Sequence, residues 1–376
     1  MINKIFFYVP SFQVSVGGAE VQASRLAKEL QTKQKVNVHI VSLGGAYIFD
    51  QNGVLSRVEA FTQKTPRSIS SRIKNIINAI FYILNNKDSD LLVHFHTLSP
   101  NALIIGLILK VICLFSQNIT CVYKVTRTGC DSPLRQYLKP SIGFLLFKSQ
   151  LLISSKFISL TPAGNHELLK SGVLPENIFL IPNGINLPKP KDRVEWKSRK
   201  NIYIVIGRAI KRKCLPQIIN AWLNANRKKD AELLIIGDGP ELLELKRHYN
   251  TNLKEHNIKF LGHQEHASIL KRLITAKYYV SASVSEGLSN SLLEGMASGL
   301  VPIIKKIPEN EFVVKHKNNG FLFSTENELR NLFSSSIKIE DEEKLSKNGF
   351  RMIKDNFDIK QIADRYRQFI IKVAAK

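Results

Sequence analysis

The sequence predicts an α/β protein built from two parallel-sheet domains, and three observations carry that expectation. Short β-branched runs alternate with longer helical stretches, the pattern of strands joined by crossover helices. The alternation stops once, at Pro182-Asn-Gly-Ile-Asn-Leu-Pro188 and the charged, proline-bearing stretch that follows, and then restarts. The length, 376 residues, suits two ordinary domains better than one.

In the first half, strands are expected at Lys4–Val9, Asn37–Ser42, Leu91–His96, Thr120–Val125, Phe157–Thr161 and Ile178–Ile181. Helices fall near Glu20–Gln31, Ser70–Asn85, Ala102–Phe115, Leu138–Ser154 and Ala163–Ser171. Residues 186–200, dense in charge and proline, read as the linker between a first domain, 1–185, and a second, 201–357. There the expected strands are Asn201–Gly207, Ala231–Gly237, Ile258–Leu261, Tyr278–Ala282 and Val301–Lys305. A helix is expected over Pro216–Asn226, and others begin near Pro240, Ala267, Ser291 and Asn327. A helical stretch, Ile359–Ala375, closes the chain. Open α/β sheets bind ligands beyond the carboxyl ends of their strands, so a site is expected in a cleft where those edges face each other.

Composition narrows the class. With 44% hydrophobic and 23% charged residues the chain is globular rather than disordered or fibrous. Its four cysteines (Cys113, Cys121, Cys130, Cys214) include no Cys-x-x-Cys pair, so they read as reduced thiols of a cytoplasmic protein, not a disulfide scaffold or zinc site. No secretory signal is visible at the start. The apolar segments Leu103–Phe115 and Ile142–Leu160 are each broken by lysine and read as core helices rather than membrane spans. The net charge of +23 is spread over both halves, +10 over residues 1–187 and +13 over 188–376. A field of that sign favours nucleic acid, anionic membrane or phosphorylated ligands.

Five segments carry chemistry. After the strand ending near Ala282, a Ser/Gly/Asn loop holds Glu286 and leads into a helix bearing Glu294. A helix start preceded by small residues presents free N–H groups to phosphate, and two carboxylates eight residues apart can accept hydrogen bonds from sugar hydroxyls. Ser291-Leu-Leu-Glu294 equally reads as a capping box. Ile206-Gly-Arg-Ala-Ile-Lys-Arg-Lys213 follows a strand and could neutralise a diphosphate through Arg208 and Lys213, or be a solvated charge run. Gly237-Asp-Gly-Pro240 reads as a βα turn with proline opening the helix. Ser15-Val-Gly-Gly-Ala-Glu20 would allow close backbone approach by a ligand. His94-Phe-His96 places two histidines on one face of a strand, as core histidines or, less well supported, a metal pair.

Taken in order, Gly17-Gly18-Ala19-Glu20, His94-Phe-His96, Ile181-Pro-Asn-Gly-Ile185, Gly207-Arg208…Lys213, Gly237-Asp-Gly-Pro240, Phe260-Leu-Gly262 and Glu286…Glu294 resemble a retaining glycosyltransferase of family 4. The resemblance covers nearly the whole chain, is densest over 201–304, and implies the GT-B fold, two Rossmann-like domains facing across a cleft. It implies a nucleotide sugar, expected to be UDP-linked, held mainly by the second domain without a bound metal or other cofactor. Carried over residue by residue, Arg208 and Lys213 would hold the diphosphate, Glu286 the transferred sugar and Glu294 the ribose. Backbone N–H groups of Gly287, Leu288, Ser289, Asn290 and Ser291 would add phosphate contacts. Gly262 and His263 would lie beside the base. Gly17 and Gly18 would approach from the first domain, with Glu20, His96, Arg127 and Thr128 on the acceptor side. The closing segment, 358–376, would cross back to the first domain.

This chain departs from the family pattern at Thr128, Cys214 and Ala282, where histidine, glycine and proline are usual. The implied activity is transfer of a hexose or N-acetylhexosamine to a glycan or lipid-linked acceptor in bacterial surface polysaccharide synthesis, with an anionic membrane surface at its inner face as a candidate partner. The alternative is a GT-B-type nucleotide-sugar epimerase using the same cleft. Nucleic-acid binding rests on charge alone, because no helix interleaves aromatic and basic residues and no known module is present.

Overall fold

The structure, a computed structural model, describes residues 4–12, 17–61, 69–87, 90–113, 119–129, 132–137, 139, 141–153, 155–189, 192, 194–250, 252–334 and 339–374. Ser15, Phe115, Cys130, Leu138, Ser154, parts of the expected linker and the last two residues lie outside these. The chain divides into two compact units, Met1–Gly184 with Ile359–Lys376, and Ile185–Asp358.

The first unit opens with β1 (Lys4–Tyr8), α1 (Gly18–Gln34), β2 (Asn37–Val41), β3 (Gly45–Phe49) and β4 (Leu55–Ala60). It continues with α2 (Ile69–Asn85), β5 (Leu91–Phe95), α3 (Pro100–Ile112), β6 (Ile119–Val125), α4 (Pro133–Tyr137) and α5 (Ile142–Leu152). β7 (Lys156–Ser159), α6 (Pro162–Lys170) and β8 (Ile178–Leu180) complete the run. The eight strands lie in the order β4-β3-β2-β1-β5-β6-β7-β8. Strand β1 runs at the centre and is apolar at every turn because both of its faces are covered. Alternation sends Phe6 and Tyr8 into one core and Ile5 and Phe7 into the other.

Two departures concern this unit. The sheet is mixed, because β2–β3 and β3–β4 pair antiparallel. Asn52-Gly53 was the available signal for that hairpin: Gly53 adopts a left-handed φ of 75°, and Asp50 accepts from Gly53 N at 3.0 Å. The helix expected over Leu138–Ser154 is the shorter α5, capped by Ser141 accepting from Phe144 N at 3.2 Å, and the separate α4 ahead of it was not expected.

The second unit contains β9 (Lys200–Ile206), α7 (Leu215–Leu223), β10 (Glu232–Ile236), α8 (Leu242–His248), α9 (Asn252–Glu255) and β11 (Ile258–Gly262). Next come α10 (His266–Leu273), β12 (Ala276–Ser281), α11 (Asn290–Ala297) and β13 (Val301–Lys305). α12 (Pro308–Val313), β14 (Phe321–Phe323), α13 (Glu326–Ser334) and α14 (Ile339–Asn356) follow. All six strands are parallel, in the order β11-β10-β9-β12-β13-β14. The chain winds outward from β9 both ways, so the loops after β9 and β12 leave the sheet side by side at its switch point.

The closing helix α15 (Ile359–Ala374) belongs to the first unit, where Ile362, Tyr366, Phe369 and Ile370 pack against Ile5, Phe7 and Leu26. Each such side chain contributes about 1.5–3 kcal/mol when buried. The chain leaves this unit at Gly184, whose carbonyl accepts from Gln22 Nε2 and Arg25 Nη1, both at 3.0 Å. The spacer expected over 186–200 is therefore corrected. Trp196 joins the second unit's core, and buried Arg199 donates to the carbonyls of Ala276 and Ser298 at 2.9 and 2.6 Å. Apolar spacing at Trp196 outweighs the run's charge.

Candidate active site

Three turns of the second unit stack on one another. Gly207 N donates to Ile236 O at 3.0 Å, Ala209 N to Asp238 O at 2.9 Å, and Gly237 N to Gly262 O at 2.8 Å. Gly237 has φ 136°, and a Cβ there would run into the Gly207 carbonyl, so only glycine serves. Gly207 likewise lets the Lys213 stem lie across it, where a Cβ would stand 3.1 Å from Lys213 Cε. The 211–213 segment is one tight turn ending at Cys214, which holds φ 47°. That left-handed conformation explains why glycine is usual there and costs cysteine about 1–2 kcal/mol.

The loop after β12 is clasped to this turn. Val284 N donates to Arg212 O at 3.0 Å, and Arg212 Nη1 donates to Ser285 O at 3.0 Å. Arg212 Nη1 also reaches Glu286 Oε2 at 3.3 Å, while Lys213 Nζ pairs with Glu286 Oε1. Burial works to push the Glu286 carboxyl up, but Lys213, then Arg212 and Ser283, outweigh it and hold the group below its ordinary value. Glu286 is therefore an ionised, oriented acceptor at neutral pH.

Five residues beyond Glu286 comes Ser291, the second residue of α11, so the helix begins one residue earlier than expected. Ser289 is the cap, accepting from Leu292 N at 3.4 Å, and its hydroxyl lies 3.1 Å from that of Ser291, which meets Tyr279 OH at 2.8 Å. The capping box from Ser291 to Glu294 is thus corrected: Ser289 is the cap, and Leu292, not Glu294, stands three residues after it. Buried Glu294 instead pairs with the half-exposed His266, Nε2 to Oε1 at 3.0 Å. Gly295 brings α11 onto β12, where a Cβ would crowd the Tyr279 ring at 3.3 Å.

Two profiles match successive parts of the chain: "Glycosyltransferase Family 4" over residues 16–189 and "Glycosyl transferases group 1" over 188–352. The chain belongs to these glycosyltransferases. It is 26% identical over 215 residues to the Escherichia coli UDP-Gal:alpha-D-GlcNAc-diphosphoundecaprenol alpha-1,3-galactosyltransferase, covering 52% of this chain and 54% of that protein. The chain thus matches about half the length of that relative. Against the Bacillus anthracis N-acetyl-alpha-D-glucosaminyl L-malate synthase it is 23% identical, covering 89% and 87%. The fold is GT-B. The crystal structure of Anabaena Alr3699/HepE with UDP and glucose superposes with a TM-score of 0.76 at 18% identity, covering 98% of this chain and 99% of that one. Sucrose-phosphate synthase from Thermosynechococcus elongatus gives 0.75 at 17%, covering 99% of each.

In this glycosyltransferase Lys213 and Glu286 stand together, and Glu294 lies farther along the same helix-bearing loop. Arg208 is exposed beyond β9 and forms no ion pair among the described residues. Arg212 and His266 were not singled out from sequence. Arg212 stood in the basic run 211–213, but a run does not show which of three side chains turns inward. Gly262, with φ 63°, has open space where a Cβ would be, and His263 is exposed.

In the first unit Gly17 caps α1, and the Glu20 carboxylate folds back onto it. Gly18 and Arg127 are exposed. His96 and Thr128 are buried. His96 stacks on His94 at 4.1 Å and lies 4.5 Å from the Phe7 ring, and Tyr366 OH meets His94 Nδ1 at 2.8 Å. Burial first, then the Lys124 charge for His94, holds both histidines well below their ordinary values, so they are neutral core rings. Among the described residues no group of three or more His, Cys, Asp or Glu side chains is placed to hold a metal.

Proposed function

We propose that this protein transfers a hexose or N-acetylhexosamine from a UDP-sugar, with retention of anomeric configuration, to a lipid-linked or glycan acceptor in bacterial surface polysaccharide synthesis. The observation that carries the reading is Glu286 held by Arg212 and Lys213 at the sheet's switch point, just before the capped start of α11. Two cations, Arg212 and Lys213, pair with this one carboxylate, and exposed Arg208 lies earlier on the same segment after β9. Their excess positive charge suits a nucleoside diphosphate, whose phosphates also complement the N–H groups opening α11. The names of relatives support the donor and acceptor classes: the Escherichia coli enzyme uses UDP-Gal and a diphosphoundecaprenol-linked acceptor.

In this reading the bond from the sugar's anomeric carbon to the diphosphate breaks as the acceptor oxygen bonds to that carbon from the same face. The acceptor's proton passes to the departing phosphate oxygen. Lys213, Arg212 and Arg208 stabilise the charge that develops on the diphosphate, so no metal ion is required. Glu286 accepts from hydroxyls of the transferred sugar, and Glu294, steadied by His266, from the ribose.

The test is a panel of UDP-, GDP- and ADP-sugars with a polyprenyl-diphosphate-linked acceptor, scored for product and its anomeric configuration. UDP-sugar-dependent glycoside with retained configuration, unchanged by EDTA, is the expected result. An inverted product would refute the mechanism. Sugar-nucleotide turnover without acceptor would point to epimerisation instead.

A further inference from the structure

A cavity of about 810 Å³ lies in the second unit, a volume that suits a small organic ligand. Its walls come from residues 194–199 before β9, residues 297–299 at the end of α11, and one face of α14. Arg199 marks where this is in the fold. It immediately precedes β9, donates to the carbonyl of Ala276 at the start of β12, and lies beside Gly299 just ahead of β13. A Cβ on Gly299 would stand 2.9 Å from Arg199 Nη2. The cavity is therefore at the amino ends of β9, β12 and β13, whereas Lys213 and Glu286 follow carboxyl ends. Nothing in the reading of the donor site uses it.

The charge of the cavity is unbalanced. Arg199 is 8% exposed, and its guanidinium donates to the carbonyls of Val194, Ala276 and Ser298 at 3.2, 2.9 and 2.6 Å. It forms no ion pair among the described residues. Burial draws it down to about 10, so it stays charged at neutral pH. The carbonyls that end α11 offset only about half a charge, and a buried cation is costly without a full counter-charge. From α14 come Lys347, Arg351 and Lys354, all exposed and spaced to share one face over about 10 Å. Lys197 is the fifth cation. The acids among the lining residues are Glu195, Glu343 and Asp355, and Glu343 is engaged by Lys347 at 2.8 Å. Two positive charges remain in excess, beside an apolar wall of Trp196, Ala297 and Phe350.

We propose that this cavity is a binding site for a small organic phosphate, separate from the donor site. A phosphate monoester brings two negative charges on one head group, which matches the excess. Arg351 offers a planar fork to phosphate oxygens, and the lysines act as point charges around it. The apolar wall would meet the carbon body of the ester. Inorganic phosphate would leave most of the volume to water, and a single carboxylate would leave one positive charge unmatched. The proposal rests on this cavity alone and not on the donor-site reading.

The experiment is calorimetric titration of the full chain with glucose 6-phosphate, glycerol 3-phosphate and inorganic phosphate, each with and without saturating UDP. One or both esters should bind at a single site with a Kd below about 1 mM, at least about tenfold tighter than inorganic phosphate. UDP should not displace the ester. Arg351→Glu/Lys354→Glu, a charge reversal at exposed positions, should weaken ester binding about tenfold or more. Lys246→Glu/Arg247→Glu, the same change of charge on exposed positions of α8, should leave it within about twofold. Failure of both esters to bind, equal affinity in the Arg351→Glu/Lys354→Glu variant, or inorganic phosphate binding as tightly as the esters would each overturn the proposal. So would displacement by UDP, which would place the ester at the donor site. A protein that binds ester but not UDP would keep this site and lose the donor reading.

Discussion

The two units place the same kind of feature, polar side chains at the carboxyl ends of central strands, in opposite physical settings. In the second unit Lys213, Arg212 and Glu286 sit on loops, part-buried, where opposite charges pair with one another. In the first, His94 on β5, His96 one residue past its end and Lys124 on β6 are buried, the two histidines against the Phe7 ring. Burial alone brings Lys124 down to about 8, although its ammonium still donates to Asn183 Oδ1 at 3.0 Å. A charge becomes chemistry in one unit and a cost to folding in the other. The apolar surface differs as well: among the described residues, fourteen exposed large apolar side chains lie in the first unit and three, Leu243, Leu270 and Val284, in the second.

The largest test of this contrast is Lys213→Ala. Transfer should fall about 10²–10³-fold, or about 3–4 kcal/mol of transition-state stabilisation, while the urea midpoint moves little. Arg212→Ala should follow at a similar scale. A large loss of stability with normal turnover per folded molecule would reverse the roles assigned to the two units.

Tyr366→Ala strikes the sealed cluster instead. It removes a fully buried ring and the His94 partner, and should cost about 3–5 kcal/mol in urea unfolding while UDP binding by the folded protein persists.

Lys124→Met sharpens the comparison through pH. The folded pKa, about 8, lies below the ordinary 10.5, so between those values the unfolded chain holds the proton and the native state does not. Stability from this group therefore rises with pH across that window and is lowest below pH 8. The gain from Lys124→Met should be greatest near neutrality, up to about 3 kcal/mol less the lost bond to Asn183, and shrink toward pH 10.5. Parallel stability curves for the two proteins would show that Lys124 is not a buried charge in solution.

Smallest is Cys214→Gly, expected to stabilise the second unit by about 0.5–1 kcal/mol by relieving the left-handed residue after Lys213. Thermal unfolding of the variant would check it, and a loss of stability would mean that the turn relaxes in solution.

Much of this was legible beforehand. Alternating apolar runs marked the central strands, because a parallel strand buried on both faces needs a continuous hydrophobic segment. Lys213, Glu286 and Glu294 were picked out because loops after strands are where such sheets bind ligands. The β3–β4 hairpin was missed although Asn52-Gly53 announced it, and α14 was missed because its charged outer face hid the apolar stripe through Leu345 and Ile353.

Sequence alone determined the central strands, the order of the turns after them and the shared side of His94 and His96, since these depend on periodicity and on neighbours in the chain. Tertiary structure decided what those residues do. Arg212 turns toward Glu286 only because two loops, more than seventy positions apart, leave the sheet together. His94 is a core ring because α15, from the far end of the chain, lays Tyr366 against it. Burial is set by whichever segment arrives to cover a face, and no local pattern records that arrival.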